Sequence, residues 1–145
     1  MKPRELISVL IVDDNPIIRT TLKMVLEKQK VFRVVAQSSN CQQGIDLYQN
    51  HNPDIVLTDM FMKDCNALKM CQKIIKINPL ARIIVLSGVI ADDEMLISAL
   101  KAGISGYLTK TVSIDELTNY LLASMIGEKV FTPYIQRKLS YISTS

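Results

Sequence analysis

Apolar and polar residues follow each other along this chain in two different patterns. Short runs of consecutive apolar, mostly β-branched residues are typical of strands buried on both faces of a sheet. Between these runs, apolar residues recur every third or fourth position, which is typical of helices. Strands are predicted at residues 9–12, 32–36, 55–57, 83–86 and 107–108, and helices at 16–26, 41–50, 67–77, 92–101 and 113–125.

Polar residues at the helix ends support these boundaries. Asn15 and Pro16 suit an N-cap and the first helical position, Gly103 suits a helix end, and Ser113 with Glu116 forms a capping box. Five strand–helix pairs predict an α/β fold, because crossovers between parallel strands are right-handed and place helices on both faces. We therefore expect a doubly wound parallel sheet of five strands.

Composition limits the classes of function. The 145 residues fit one domain, with 48% hydrophobic and 21% charged residues. The formal net charge of +3 is too small to indicate nucleic-acid binding. No apolar run approaches the ~20 residues of a membrane span, and the N-terminus lacks the apolar core of a signal peptide. We therefore expect a cytoplasmic protein.

The cysteines and the single histidine give no sign of a metal site. Cys41, Cys65 and Cys71 lack metal-ligand spacing, and their number is odd. We interpret them as buried or idle thiols. His51 lies at a predicted helix end, so we place it at the surface.

Four of the predicted strands end at polar residues that suit a metal ion or a phosphate. In open parallel sheets, ligands bind at the carboxyl ends of the strands, which share one edge. Three carboxylates, one hydroxyl and one amine together suit a divalent cation and a phosphoryl group. The residues expected to share this pocket are Asp13, Asp14, Asp59, Ser87 and Lys110.

The carboxylates offer both a cation site and a nucleophile. Mg²⁺, or Mn²⁺, favours oxygen ligands, so Asp14 and Asp59 can bind it directly and Asp13 through water. A carboxylate can also accept a phosphoryl group as an aspartyl phosphate. Asp59, at the end of the middle strand, is the best candidate. Lys110 would neutralise the phosphoryl oxygens, and Ser87 would offer them a hydroxyl.

The motifs VDDN, LTDM, VLSG and YLTK together resemble the receiver domain of bacterial two-component response regulators, over about residues 7–126. The resemblance implies a flavodoxin-like (βα)5 fold with strand order 2-1-3-4-5. It also implies that Asp59 is the phosphoacceptor and that Lys110 is the family's lysine.

The resemblance further implies a metal site and a switch. Asp13 and Asp14 are the acidic pair that binds Mg²⁺ with Asp59, and the backbone carbonyl of Phe61 is a further ligand. Ser87 is the switch hydroxyl and Tyr107 the switch aromatic.

Partners are also implied by the resemblance. A sensor histidine kinase or a phosphotransfer protein would supply the phosphoryl group. The chain would not be an enzyme in the usual sense, because it would catalyse only its own phosphorylation and dephosphorylation. Phosphorylation would change the surface formed by residues 99–122 and promote a homodimer.

Residues 127–145 differ from the receiver-like part, residues 1–126. GEKVFTPYIQRKL resembles the segment that joins the receiver to a DNA-binding domain in NarL/LuxR-type regulators, and no helix-turn-helix follows it in this sequence. Either the natural protein is longer or the receiver works alone. We expect a longer protein that regulates transcription and contacts DNA only through an output domain missing here. Thr132 and Pro133 could equally begin a C-terminal helix that lies against the core, and both alternatives stay open.

The sequence departs from the family pattern after the phosphoacceptor. Lys63 stands where the family usually has proline, and Ala67 stands where it has glycine, so we expect a looser loop. Phe61 is bulky at a position that often tunes the lifetime of the phosphoryl group. Members of the family commonly have a cis peptide after the lysine, here between Lys110 and Thr111.

Three other classes of protein fit this pattern less well. A phosphatase with Asp13 as its nucleophile needs a second aspartate two positions later, where Asn15 stands. A flavin carrier needs a Ser/Thr/Gly-rich phosphate loop, whereas DDNPII is acidic. A receiver-like scaffold that acts through protein contacts without phosphorylation is the main alternative, and the intact acidic set argues against it.

Overall fold

The computed structural model of the protein describes residues 5–88 and 91–144. The predicted domain bounds at residues 1 and 145 lie outside these ranges. Within them, one sheet is formed by β1 (Ile7–Val12), β2 (Phe32–Ser38), β3 (Ile55–Thr58), β4 (Ile83–Ser87), β5 (Gly106–Thr109) and β6 (Val130–Phe131). All neighbouring strands are parallel, in the order β2-β1-β3-β4-β5-β6. The first five strands therefore have the predicted flavodoxin-like order.

Helices cover both faces of the sheet, as predicted. They are α1 (Pro16–Lys28), α2 (Cys41–His51), α3 (Ala67–Ile77), α4 (Asp93–Ala102), α5 (Ile114–Met125) and α6 (Pro133–Thr144). Buried residues of α1 and α5 pack on one face, and buried residues of the other four helices pack on the opposite face. No helix in the described ranges is long and apolar enough to cross a bilayer.

The sheet has one strand more than the predicted five. Val130 of β6 lies opposite Gly106 of β5, and Phe131 lies opposite Tyr107. The prediction of a five-stranded sheet is therefore wrong, because two apolar residues outside the predicted strand–helix alternation do not by themselves indicate a strand. Gly106 permits the close pairing, since a Cβ atom there would collide with the side chain and the backbone oxygen of Val130.

The segment after β6 also packs against the domain. Ile135 of α6 is fully buried in the same cluster as Tyr107. Lys138 Nζ lies 2.6 Å from Asp93 Oδ1 at the start of α4, and Asp93 raises the pKa of Lys138. Residues 130–144 thus extend the edge of the sheet beyond β5. Their role as a connector to a further domain stays a prediction.

A disulfide joins Cys41 and Cys65, so the interpretation as unpaired thiols is wrong for these two residues. Cys41 begins α2 and Cys65 lies in the loop before α3. Their Cα atoms are 5.9 Å apart although 24 positions separate them in sequence. No local spacing reveals this pair, because α2 and α3 meet only when they pack on the same face of the sheet. Cys71 is a free, buried thiol, as expected.

The backbone differs from the expectation at one further point. The peptide bond between Lys110 and Thr111 is trans, and none of the described residues has a cis bond. The cis bond implied by the family resemblance is therefore absent from this structure.

Candidate functional site

The acidic residues at the ends of β1 and β3 lie together. Asp13, Asp14 and Asp59 each place one carboxylate oxygen within 4.8 Å of the other two. Backbone hydrogen bonds fix this arrangement beyond the strands: the Asp59 N–H donates to the Val12 carbonyl and the Asp13 N–H donates to the Ser38 carbonyl, both at 3.0 Å. The parallel ladder therefore brings the carboxylates to one edge, as predicted.

Lys110 approaches two of these carboxylates from the end of β5. Its Nζ lies 3.3 Å from Asp13 Oδ2 and 3.4 Å from Asp59 Oδ2. The side chains of Lys110, Asp13 and Asp59 are 27%, 3% and 11% exposed, respectively. The position of Lys110 is fixed by its backbone N–H, which donates to the Ser87 carbonyl at 3.0 Å. The three carboxylate charges outnumber the single ammonium charge of Lys110, and this excess of negative charge favours a divalent cation.

The loop between β3 and α3 closes over the carboxylates through its backbone. The Phe61 N–H donates to Asp59 Oδ1 at 3.2 Å, and the Lys63 N–H donates to Asp14 Oδ2 at 3.0 Å. Hydrogen bonds to charged acceptors are among the stronger ones in proteins. The loop thus fixes the orientation of both carboxylates. The role of the Phe61 backbone carbonyl as a metal ligand stays a prediction.

Arg19 is a site residue that sequence reasoning missed. Its Nη1 donates to the backbone carbonyl of Asp13 at 2.6 Å, while the Asn15 N–H donates to Asp13 Oδ1 at 2.9 Å. Arg19 lies one turn after the N-cap Asn15 in α1, so it faces the end of β1. This spacing is the only sequence signal that could have indicated its role.

Ser87 ends β4 and Tyr107 lies in the neighbouring β5, and both are buried. Burial raises the pKa of Tyr107 to about 12; the Ser87 side chain opposes this rise, and the charge of Asp59 adds to it. The Tyr107 hydroxyl has no hydrogen-bond partner of good geometry among the described residues. The sequence could not exclude a half-buried strand tyrosine, whereas the structure encloses the ring completely.

A family model of the response regulator receiver domain matches residues 9–122. This range contains the acidic cluster, Ser87, Tyr107 and Lys110. The chain therefore belongs to the family of response regulator receiver domains of two-component systems, which confirms the prediction from the four motifs. The scaffold alternative is not favoured.

Individual relatives narrow this class to the NarL/LuxR type. The nitrate/nitrite response regulator protein NarL of Escherichia coli (strain K12) is 33% identical over 132 residues, which cover 91% of this chain and 61% of NarL. The transcriptional regulatory protein DegU of Brevibacillus brevis is 31% identical, over 92% of this chain and 56% of DegU. This chain thus spans about three fifths of the length of these relatives.

A solved structure agrees with this assignment. A LuxR-family two-component response regulator from Aurantimonas sp. SI85-9A1 superposes with a TM-score of 0.89 at 25% sequence identity. The match covers 97% of this chain and 100% of that chain. Because nearly the whole chain is matched, the similarity extends beyond residue 126.

Proposed function

We propose that Asp59 accepts a phosphoryl group in an Mg²⁺-dependent reaction, with a sensor histidine kinase or a phosphotransfer protein as the donor. The observation that carries this proposal is the position of Lys110 Nζ between Asp13 and Asp59, beside three carboxylates whose oxygens lie within 4.8 Å of one another. A phosphoryl group needs a nucleophile and positive charge at one place, and this cluster supplies both.

The donor set of this cluster fits a hard divalent cation. Asp13, Asp14, Asp59 and the backbone carbonyl of Phe61 would hold Mg²⁺ or Mn²⁺, because all four offer oxygen ligands. When bound, the ion neutralises charge on the phosphoryl oxygens.

Asp59 and Lys110 would have different roles in the reaction. A carboxylate oxygen of Asp59 bonds to phosphorus, the bond from phosphorus to the donor breaks, and its electron pair leaves with the donor. Lys110 attracts the phosphoryl oxygens, and its contact with Asp59 keeps it beside the reacting atoms. Hydrolysis by water would later restore the Asp59 carboxylate. The chain would therefore catalyse only its own phosphorylation and dephosphorylation.

Phosphorylation would be sensed through Ser87 and Tyr107. A phosphoryl group on Asp59 would attract the Ser87 hydroxyl and so change the polar surroundings of the Tyr107 hydroxyl. Since the Tyr107 ring is already buried, the change would be a rearrangement inside the core rather than an inward movement from solvent. This rearrangement would reach β6 and α6 through the hydrophobic cluster that contains both Tyr107 and Ile135.

The natural output would be control of transcription. The relatives NarL and DegU carry names that describe a response regulator and a transcriptional regulator. By this relationship, residues 127–145 would lead towards a DNA-binding output domain, and phosphorylation would promote a homodimer.

The direct test is intact mass after incubation with Mg²⁺ and acetyl phosphate. Wild type should gain the mass of one phosphoryl group, whereas Asp59→Asn should gain none, because the amide is a poor nucleophile. Asp64→Asn is the matched control, since Asp64 is an exposed carboxylate in the same loop, and it should be phosphorylated like wild type. A phosphoryl increment on Asp59→Asn equal to that of wild type would contradict the proposal.

A further inference from the structure

The disulfide between Cys41 and Cys65 connects the two segments that surround the acidic cluster. Cys41 begins α2, three positions after Ser38, whose carbonyl accepts the hydrogen bond of the Asp13 N–H. Cys65 ends the stretch that starts at Asp59. The covalent link therefore runs beside the proposed phosphorylation site without using any of its side chains.

Besides the disulfide, the loop at residues 60–66 is held by two buried methionine side chains and by backbone hydrogen bonds to the carboxylates. It contains no helix or strand, and it contacts the carboxylates through the N–H groups of Phe61 and Lys63. Met60 and Met62 are buried, while Phe61 and Lys63 are exposed. Lys63 does not restrict the backbone as a proline would. The disulfide is thus the one covalent restraint on the described part of this loop.

We propose that Cys41 and Cys65 form a redox-sensitive pair that sets how readily the acidic cluster binds Mg²⁺ and how fast Asp59 is phosphorylated. This inference rests on the proposed function. In the oxidised form, the loop is held where its N–H groups orient Asp14 and Asp59. In the reduced form, the loop has more conformational freedom. Mg²⁺ binding must then order the loop, and the entropy lost in doing so weakens the binding.

The structure leaves the disulfide open to reagents from one side. Cys65 is partly exposed and borders a cavity of about 350 Å³ that is also lined by Phe61 and Lys63, whereas Cys41 is buried. A thiolate of a dithiol reductant can therefore attack the Cys65 sulfur. The Sγ–Sγ bond then breaks, and Cys41 leaves as a thiolate and takes up a proton.

The exchange is completed by the second thiol of the reductant. It releases the Cys65 thiolate, which also takes up a proton, and the reductant becomes a cyclic disulfide. Two electrons have then passed to the protein. A low-molecular-weight disulfide reverses the reaction by accepting those two electrons through the same kind of mixed disulfide.

Cys71 is excluded from this exchange by its surroundings. It is fully buried, and burial raises the pKa of its thiol to about 12. Since the thiolate is the reactive form, Cys71 stays protonated and inert. The redox response is therefore confined to the two linked residues.

The test compares oxidised wild type, dithiol-reduced wild type and the double variant Cys41→Ser/Cys65→Ser. Three quantities are measured: the Mg²⁺ dissociation constant by calorimetry, hydrogen exchange of residues 60–66, and the phosphorylation rate with acetyl phosphate by intact mass. Oxidised wild type should bind Mg²⁺ roughly threefold to tenfold more tightly than the reduced protein. It should also exchange more slowly in the loop and be phosphorylated faster.

The double variant serves as the control for the reagents. It should resemble reduced wild type and show no response to oxidant or reductant. Equal Mg²⁺ affinity and equal loop exchange in the two forms of wild type would overturn the inference, as would a redox response that persists in the double variant. If neither form were phosphorylated, the proposed function would fail, whereas equal phosphorylation of both forms would remove only the redox role.

Discussion

At the scale of single residues, Lys110 has the most informative position. Its ammonium group lies within 3.4 Å of oxygens of both Asp13 and Asp59, so it competes with a cation for the same carboxylates. The same charge would attract a phosphoryl group on Asp59. Lys110 should therefore have opposite effects on ion binding and on phosphorylation.

Replacement of Lys110 by glutamine separates these two effects. Lys110→Gln should bind Mg²⁺ several-fold more tightly, because a competing positive charge is lost, and should be phosphorylated roughly a hundredfold more slowly. Calorimetry and the rate of mass gain with acetyl phosphate measure the two quantities. Lys101→Gln, at an exposed lysine of α4, should change neither. Weaker Mg²⁺ binding in Lys110→Gln would contradict the role given to this ammonium.

Tyr107 offers a second prediction, about stability. Removing a buried hydroxyl that lacks a good partner should be favourable, so Tyr107→Phe should raise the free energy of unfolding by about 1 kcal/mol at neutral pH. Urea unfolding of the two proteins measures the difference. A clear loss of stability in the variant would show that the hydroxyl is satisfied in solution.

The same pair of proteins tests the pKa of Tyr107. The pKa in the folded protein is about 12, above the ordinary value of 10.0. Between these values the unfolded chain holds fewer protons than the folded one, so stability falls as the pH rises from about 10 to 12. Wild type should therefore lose more stability than Tyr107→Phe over this interval. Parallel losses in the two proteins would contradict the raised pKa.

Residue positions at strand ends could be predicted, whereas contacts that depend on loop paths could not. Asp13, Asp59 and Lys110 meet because parallel strands end at one edge of the sheet, a rule that the sequence alone supports. The pairing of Cys41 with a cysteine in another loop depends on three-dimensional packing, which leaves no spacing signal. For Arg19, the one signal is its position one turn after the N-cap Asn15.

At the scale of secondary-structure elements, β6 and α6 are the unexpected part of the fold. The first five strands could be predicted from apolar runs that alternate with helices, and the helices from apolar residues at every third or fourth position. β6 has two residues and is held by its partner β5, since the Val130 N–H donates to the Ser105 carbonyl at 3.0 Å and the Thr132 N–H to the Tyr107 carbonyl at 3.4 Å. β6 can pair with β5 because residue 106 is a glycine, which leaves room for Val130. The two residues of β6 do not indicate a strand by themselves.

The packing of α6 can be tested through Ile135, whose side chain is fully buried. Ile135→Ala should lower the free energy of unfolding by about 2–5 kcal/mol, because it removes apolar contacts and leaves a cavity. Arg137→Ala is the control on the same helix: Arg137 is exposed, so its loss should change stability by less than about 0.5 kcal/mol. Equal effects of the two variants in urea unfolding would contradict the packing of α6 against the sheet.

At the scale of the whole molecule, the site couples ion binding to folding. The three carboxylates come from segments that meet only in the folded chain, so a cation bound there stabilises the folded state by mass action. The effect should reach about 2.7 kcal/mol when free Mg²⁺ is a hundred times its dissociation constant.

Thermal unfolding with and without Mg²⁺ tests this coupling. The midpoint for wild type should rise with Mg²⁺ concentration and return when a chelator removes the ion. Asp14→Asn should show a much smaller rise, because a carboxylate ligand is replaced by a neutral amide. A rise of equal size in both proteins would indicate that Mg²⁺ acts elsewhere on the molecule.

The most direct test of the central proposal is to locate the acyl phosphate within the chain. Protein phosphorylated with acetyl phosphate and Mg²⁺ is reduced with borohydride, which converts a phosphorylated aspartate to homoserine, and the peptides are sequenced by mass spectrometry. Homoserine at position 59 is the expected result. Homoserine at Asp13 or Asp14, with Asp59 unchanged, would contradict the assignment of the phosphoacceptor and favour a different use of the acidic cluster.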